Sequence, residues 1–144
     1  MKYSILFLVV IFNSCSVVDK YESSKISYST DDYIKSSVKD IIDNPELYNG
    51  KKVELQAYFY YSIETSFLST DAKLNNGENI WVEFNYFSDL LDKEGKSLYK
   101  ENKLSNYSEE KVKIRGIYDS GNNGHLGVHK GSIKDIVYFE SPAK

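Results

Sequence analysis

The sequence is poor in cysteine, histidine and arginine, and each scarcity removes a class of protein. Its 144 residues contain one cysteine, so no disulfide can form within the chain. The two histidines, His125 and His129, lie in a glycine-rich segment, which disfavours the helix that would bring them together. On an extended strand they would lie roughly 13 Å apart, too far for one ion. The sequence therefore predicts no metal site.

The balance of charge and the lack of catalytic motifs narrow the function further. Arg115 is the single arginine, and the formal net charge is −3. Nucleic-acid-binding proteins present a basic patch to the phosphates, so this composition disfavours that function. The sequence has no Gly-x-Ser-x-Gly motif and no phosphate-binding loop, and nothing places Glu64, Glu83 and Asp119 as a carboxylate pair. We expect a non-enzymatic protein without a cofactor.

The amino-terminal residues have the parts of a secretory signal. Lys2 supplies a positive charge, residues 5–12 form a short apolar run, and small polar residues precede Cys15. This run of about eight residues is too short to span a bilayer, which takes roughly 20. The segment Phe12-Asn13-Ser14-Cys15 resembles a bacterial lipobox, in which the cysteine is lipidated and becomes the first residue of the mature protein.

The lipobox resemblance implies a lipoprotein signal peptide over residues 1–14 and a lipid-anchored location in the cell envelope, at the outer membrane rather than the inner one. Residues 15–32 are polar and rich in serine, which predicts a flexible tether between the lipid and the domain. Asp19 and Glu22 in this stretch resemble surface-export signals of some Bacteroidetes lipoproteins. We expect the folded domain over residues 33–140.

The pattern of apolar residues predicts a mainly β domain. Ser36 or Ser37 is suited to cap a short helix that stops before Pro45. From residue 52 the apolar period changes to two, and alternation recurs at 79–85, 111–118 and 132–140. Residues 86–108 are polar with dispersed leucines, which suggests an insertion with a short helix. These elements predict a small OB-like antiparallel β-barrel with a short N-terminal helix and one or two further short helices.

Several phrases resemble small uncharacterised bacterial lipoproteins of the Bacteroidetes type with an OB-fold-like domain. The phrases are Val38-Lys39-Asp40-Ile41-Ile42, Asn44-Pro45-Glu46, Tyr48-Asn49-Gly50-Lys51-Lys52-Val53, Ile80-Trp81-Val82, Val112-Lys113-Ile114-Arg115-Gly116 and Gly124-His125-Leu126-Gly127. The resemblance covers about residues 33–140. It implies a barrel-type binding module and brings no catalytic residues with it.

Trp81 is the candidate contact residue, because it falls on the polar face of its strand. Tyr58, Tyr60 and Glu83 are expected on the same outer face, where flat rings with polar tips suit contacts with proteins or sugars. We expect an envelope protein as the partner, with an oligosaccharide as the alternative. A second interpretation buries Trp81 beneath residues 86–108 and leaves only the loops as a contact surface.

The glycine-rich loop before the last strand is expected to be structural. Its glycines allow a tight turn, and a histidine bonded to the backbone would hold that turn in place. The residues assigned to this role are Asp119, Gly124, His125 and Gly127.

Overall fold

The computed structural model describes residues 17–24, 29–73 and 77–144. The predicted signal peptide (1–14) and Cys15 lie outside these ranges, so both assignments stay predictions. Within them, no helix is long and apolar enough to cross a membrane. The strands of the described residues are β1 (Val18–Ser23), β2 (Ile34–Ser36), β3 (Lys52–Ser62), β4 (Thr65–Ser69), β5 (Asn79–Val82), β6 (Leu90–Leu91), β7 (Lys111–Asp119) and β8 (Ser132–Pro142), and the helices are α1 (Val38–Asp43), α2 (Pro45–Tyr48) and α3 (Lys103–Asn106).

Five of these strands close into a barrel. β3 pairs with β4 and β4 with β5, both antiparallel, and β5 pairs in parallel with β8. β8 then pairs with β7, which returns to β3 in antiparallel register. β2, β1 and β6 extend the sheet outside this ring. The predicted fold class, a mainly β protein built on a small OB-like barrel with short helices, is confirmed.

Local sequence signals explain the first helices and the longest strand. The Ser37 side chain caps α1 by accepting a hydrogen bond from the Asp40 backbone N–H at 3.1 Å. α1 ends before Asn44, because a residue that precedes proline avoids the helical conformation, and Pro45 begins α2. In β3 the period of two directs alternate side chains into the core, namely Val53, Leu55, Ala57 and Phe59.

Residues 86–108 contain the expected short helix, α3, but their leucines pack into the core of the barrel, which the prediction of a polar insertion did not include. Leu90 and Leu98 are fully buried, and Leu104 of α3 is nearly so. All three lie in the same hydrophobic cluster as the inward side chains of β3, β7 and β8. Burying a leucine contributes about 1.5–3 kcal/mol relative to leaving it exposed. This segment therefore supplies a substantial share of the apolar burial that stabilises the barrel.

The prediction of a flexible tether over residues 15–32 is wrong for Val18–Ser23. β1 pairs antiparallel with β8 over five residue pairs and also contacts β6. Its buried residue, Tyr21, lies in the barrel core, and its hydroxyl shares a 2.8 Å hydrogen bond with that of Tyr107. The domain therefore includes a strand that precedes the predicted start at residue 33, and its last strand runs beyond residue 140 to Pro142.

Candidate functional site

Aromatic side chains line the outer surface of the barrel where β3, β4 and β5 lie side by side. Tyr60 pairs with Phe67, and Phe67 pairs with Trp81. Because paired residues of neighbouring strands project on the same side of a sheet, the three rings form one row. The rings of Tyr60 and Phe67 are stacked with centroids 5.1 Å apart. We call this row, together with the His129 ring beside it, the aromatic face.

His129 packs against two rings of the aromatic face. Its ring centroid lies 5.6 Å from that of Phe67 and 5.2 Å from that of Trp81. Its Nδ1 atom lies 2.5 Å from the side-chain oxygen of Asn79. The imidazole is buried, and this burial lowers the pKa of His129. The structure therefore favours a neutral ring at this position.

The loop of residues 120–131 covers part of Trp81. Gly124 has a φ of +68°, and a Cβ atom there would lie 2.6 Å from the Trp81 ring, so this close approach needs glycine. The Asn122 side chain donates a 2.6 Å hydrogen bond to the carboxylate of Glu83, the residue after β5, which holds the loop against the end of this strand. Trp81 is half-buried by this loop. The interpretation that buries Trp81 beneath residues 86–108 is therefore wrong.

Trp81 also lines a surface groove of about 390 Å³. The turn between β3 and β4 forms one wall, and Tyr86 and His125 contribute from two other loops. The lining combines rings, hydroxyl groups, one carboxylate and an imidazole, and the described residues that form it include no lysine or arginine. Its residues are Tyr61, Ser62, Ile63, Glu64, Thr65, Ser66, Trp81, Tyr86 and His125.

Tyr86 connects the groove to the core. Its ring lies 5.0 Å from that of Tyr99, which in turn makes an edge contact with the buried Phe84 at 5.7 Å. Burial, together with a hydrogen bond to Tyr61, raises the pKa of Tyr86. Tyr86 thus keeps its hydroxyl proton at neutral pH, and its ring is held in place by packing.

Large apolar side chains around this groove are left in solvent. Ile63 is 97% exposed in the turn between β3 and β4, Phe87 is 93% exposed beside Tyr86, and Leu126 is 82% exposed beside His125. Leu126 also has a φ of +67°, a left-handed conformation that costs an L-residue roughly 1–2 kcal/mol. The fold thus holds an exposed leucine in a strained conformation. We call Ile63, Tyr86, Phe87 and Leu126 the apolar rim.

The predicted contact residues lie on one outer face, but their accessibility differs. Trp81 lines the groove, and Glu83 is exposed with its carboxylate bonded to the loop. Tyr60 is buried, and its hydroxyl donates to the backbone oxygen of Ala72, so it supports the face rather than offering a contact. Tyr58 pairs with Ser69, one row away from Trp81, and does not line the groove.

The predicted loop residues have more than one role. The Lys134 side chain donates a 2.6 Å hydrogen bond to Asp119, and this bond, aided by one from the Gly121 backbone, lowers the pKa of Asp119. Gly127, like Gly124, has a positive φ. His125 is exposed and lines the groove, whereas the buried histidine that anchors the loop is His129. The assignment of the loop-holding role to His125 is therefore corrected.

Sequence reasoning missed the apolar rim, Tyr61, Glu64 and Phe67 as parts of the site. A signal existed for one of them, because Leu126 is a large apolar residue between glycines in a polar loop. No pattern in the sequence marked Ile63 or Tyr86 as part of a site, because the two residues come together only when the barrel closes. Chain positions 63, 86 and 125 are far apart in sequence and meet only in the folded protein.

A second outer surface, across β1, β8, β7 and the first half of β3, is built from charges. Arg115 bonds the Glu54 carboxylate at 2.5 Å and lies 4.2 Å from the centre of the Tyr138 ring. Lys113 bonds Glu140 at 2.8 Å. Burial alone would raise the pKa of Glu140, but the bonds from Lys113 and Tyr138 hold it below its usual value. We call these cross-strand pairs the charged ladder.

Within the ranges 17–24, 29–73 and 77–144, no group of three His, Cys, Asp or Glu side chains is arranged to hold a metal ion. Comparisons with protein-family models, with curated proteins and with solved structures found no match to this chain. The groove and the apolar rim are therefore the structural features on which a proposed function can rest.

Proposed function

We propose that this chain is a lipid-anchored protein of the bacterial cell envelope whose barrel binds a protein partner at the groove beside Trp81. The observation that carries the proposal is the apolar rim. Large apolar side chains exposed beside a groove are typical of interaction sites, and the cores of protein interfaces are rich in aromatic residues. The aliphatic members, Ile63 and Leu126, favour a protein over a sugar, because sugars stack on flat rings.

The position of the groove supports a binding role. In OB-like barrels the outer surface of the second and third barrel strands, with the loops after the first and fourth, forms a ligand-binding face. Here those strands are β4 and β5, and the loops carry Ile63 and His125. The groove contains the Glu64 carboxylate and, among the described residues that line it, no lysine or arginine, which disfavours the phosphates of a nucleic acid.

The alternative is an oligosaccharide ligand. Its support is that Trp81, Tyr61 and Tyr86 line one groove together with the hydroxyl groups of Ser62 and Thr65. Flat apolar faces next to hydroxyl groups suit a sugar ring. This function would depend on Trp81 more than on the aliphatic residues of the rim.

A comparison of two variants separates these functions. We expect the double variant Ile63→Ser, Leu126→Ser to lose at least tenfold in affinity for partners cross-linked to the wild-type protein in membranes, because truncated hot-spot residues each cost 2 kcal/mol or more. Leu47→Ser, which changes another exposed leucine on α2, is the matched control and should bind normally. A reproducible glycan-array signal that Trp81→Ala abolishes and the double variant retains would replace the protein partner with a sugar.

The anchoring part of the proposal has a test of its own. Each buried methylene of a lipid contributes about 0.8 kcal/mol, so a diacylglyceryl thioether with an acylated amine on Cys15 holds a protein firmly on a membrane. Cys15→Ala should move the protein to the soluble envelope fraction, and mass spectrometry of the wild-type protein should find the lipid on Cys15. A membrane-bound Cys15→Ala protein would contradict the anchor.

A further inference from the structure

The first strand begins almost immediately after the predicted lipidation site. Val17 already takes part in the sheet, because its backbone oxygen accepts a 3.1 Å hydrogen bond from the Ala143 N–H. An extended chain spans at most about 3.3–3.6 Å per residue, so the Cα atoms of Cys15 and Val17 are at most about 7 Å apart. This limit follows from covalent geometry alone. It leaves one residue, Ser16, between the cysteine and the sheet.

The connection between Cys15 and the barrel would be longer if β1 detached from the sheet, but this strand is held in place. It is hydrogen-bonded along β8, and Tyr21 is buried in the core. The Tyr107 hydroxyl, which bonds that of Tyr21, also donates to the Asp19 carboxylate at 2.9 Å. Releasing β1 would expose Tyr21 and break these bonds together. Val17 therefore moves with the barrel as one body.

The surface around Val17 forms one end of the sheet, which we call the anchor end. Val17 is 75% exposed, and the neighbouring Val18 pairs with Pro142. The exposed Lys111 begins β7 and, with Val17, Val18 and Pro142, lines a shallow pocket of about 230 Å³. Lys144 bonds Glu110 and, through its backbone N–H, Asp19. Exposed valines beside lysines, whose stems are apolar and whose tips are charged, suit the interface of a bilayer.

We propose that the anchor end lies directly against the lipid headgroups of the membrane that holds Cys15, so that the barrel has a fixed side towards the bilayer. This inference rests on the proposed lipidation of Cys15. The headgroup layer is about 5–7 Å thick on each side of the hydrocarbon. A sheet residue no more than about 7 Å from the lipidated cysteine lies within that layer or at its surface.

The test uses the lipidated full chain in vesicles of phosphatidylethanolamine and phosphatidylglycerol that contain a headgroup nitroxide lipid. With its one cysteine acylated, the wild-type chain has no other thiol, so an introduced cysteine takes a fluorophore at a single position. Lys111→Cys labels the anchor end. Lys51→Cys is the matched control, an exposed lysine seven residues from Tyr58, the strand partner of Lys111, and therefore roughly 23 Å away along β3.

We expect nitroxide quenching at position 111 to exceed that at position 51 at least threefold. Equal quenching at the two positions in lipidated, vesicle-bound protein would overturn the inference. A second variant inserts twelve Gly and Ser residues between Ser16 and Val17, a linker with an end-to-end distance of about 17–21 Å. It should bring the two positions to similar quenching. A difference that persists unchanged would show that the short connection does not orient the barrel.

The outcomes also separate this inference from the proposal beneath it. Mass spectrometry of the vesicle-bound protein reports whether Cys15 carries the lipid. An unmodified Cys15 would contradict the lipid anchor. A modified Cys15 with equal quenching at both positions would leave the anchor in place and contradict only the fixed orientation.

Discussion

The charged ladder and the aromatic face share strand β3, but they differ in how their side chains are satisfied. In the ladder, cross-strand partners such as Arg115 and Glu54 pair within the sheet. The aromatic face is covered only in part, by the loop around Gly124, and Trp81 remains open to the groove. The two surfaces therefore differ in how many of their side chains find contacts within the fold. The side chains of the ladder find their partners within the fold, whereas Ile63 and Leu126 of the apolar rim are largely exposed to solvent, as the proposed binding of a partner requires.

The largest expected effect concerns the packing that supports the aromatic face. Phe67→Ala removes the half-buried ring that stacks on Tyr60 and contacts His129, and we expect it to lower the free energy of unfolding by about 2–3 kcal/mol. Phe87→Ala changes the same residue type at an exposed position and should alter stability by less than about 0.5 kcal/mol. Urea denaturation of both variants measures the difference. Similar values would contradict the distinction between supporting rings and the rim.

The ladder is tested by removing one charge at a time. Arg115→Met leaves the Glu54 carboxylate, whose side chain is 11% exposed, without its cation, and should cost about 2 kcal/mol. Lys113→Met breaks the more exposed pair with Glu140 and should cost no more than about 1 kcal/mol. Denaturant midpoints of the two variants give the comparison. An Arg115 variant as stable as the Lys113 variant would show that the ladder does not depend on burial.

Two glycines of the loop differ in whether an added side chain would meet the Trp81 ring. Gly127→Ala should cost about 1 kcal/mol, because its φ of +67° is unfavourable for alanine although no atom lies within 4 Å of the new methyl group. Gly124→Ala should cost at least about 1 kcal/mol more, because its φ of +68° and ψ of −167° are essentially restricted to glycine and because its Cβ meets the Trp81 ring. Trp81 is the single tryptophan, so its fluorescence should shift in the Gly124 variant and not in the Gly127 variant. Equal shifts would contradict the packing of this loop.

The smallest effect is a pH dependence of the aromatic face. Because burial lowers the pKa of His129 in the folded state, the unfolded chain binds more protons below about pH 6.5, its ordinary value. The free energy of unfolding should therefore fall as the pH drops from 7.5 to 5.5. His129→Gln should lose part of this dependence, whereas His125→Gln, at an exposed position, should keep it. Urea midpoints at the two pH values test this, and identical behaviour of both variants would contradict it.

The strands of the barrel were predictable where buried residues alternate regularly along the chain. They were not predictable where a segment has few buried residues. Burial alternates over eight residues of β3 and nine of β7, and this alternation is visible in the sequence. β1 has one buried residue, Tyr21, among polar neighbours, so no period marks it. The leucines of residues 86–108 are spaced by turns and fit neither a strand nor a helix. Both segments owe their structure to partners far away in the chain.

The site was predictable in its centre and not in its surroundings. Trp81 was accessible to sequence reasoning because strand alternation puts it on the outer face. Its cover and its neighbours depend on the register among β4, β5 and β8, which brings Phe67, Trp81 and Ser132 together from distant positions. A pattern of apolar residues carries no information about such a register. The groove was therefore found only in the folded structure.

The pairing of β8 with β1, β5 and β7 also sets an order of events during folding. Val18, at the start of β1, pairs with Pro142, so the first strand cannot pair with β8 until the last part of the chain is present. Contacts between such distant residues form slowly, because a long loop must close before they are made. A chain synthesised from its amino terminus cannot complete the barrel until β8 has emerged. Loss of β8 alone would remove one of the two strand partners from each of β1, β5 and β7 and would open the barrel, and we expect such a chain not to fold.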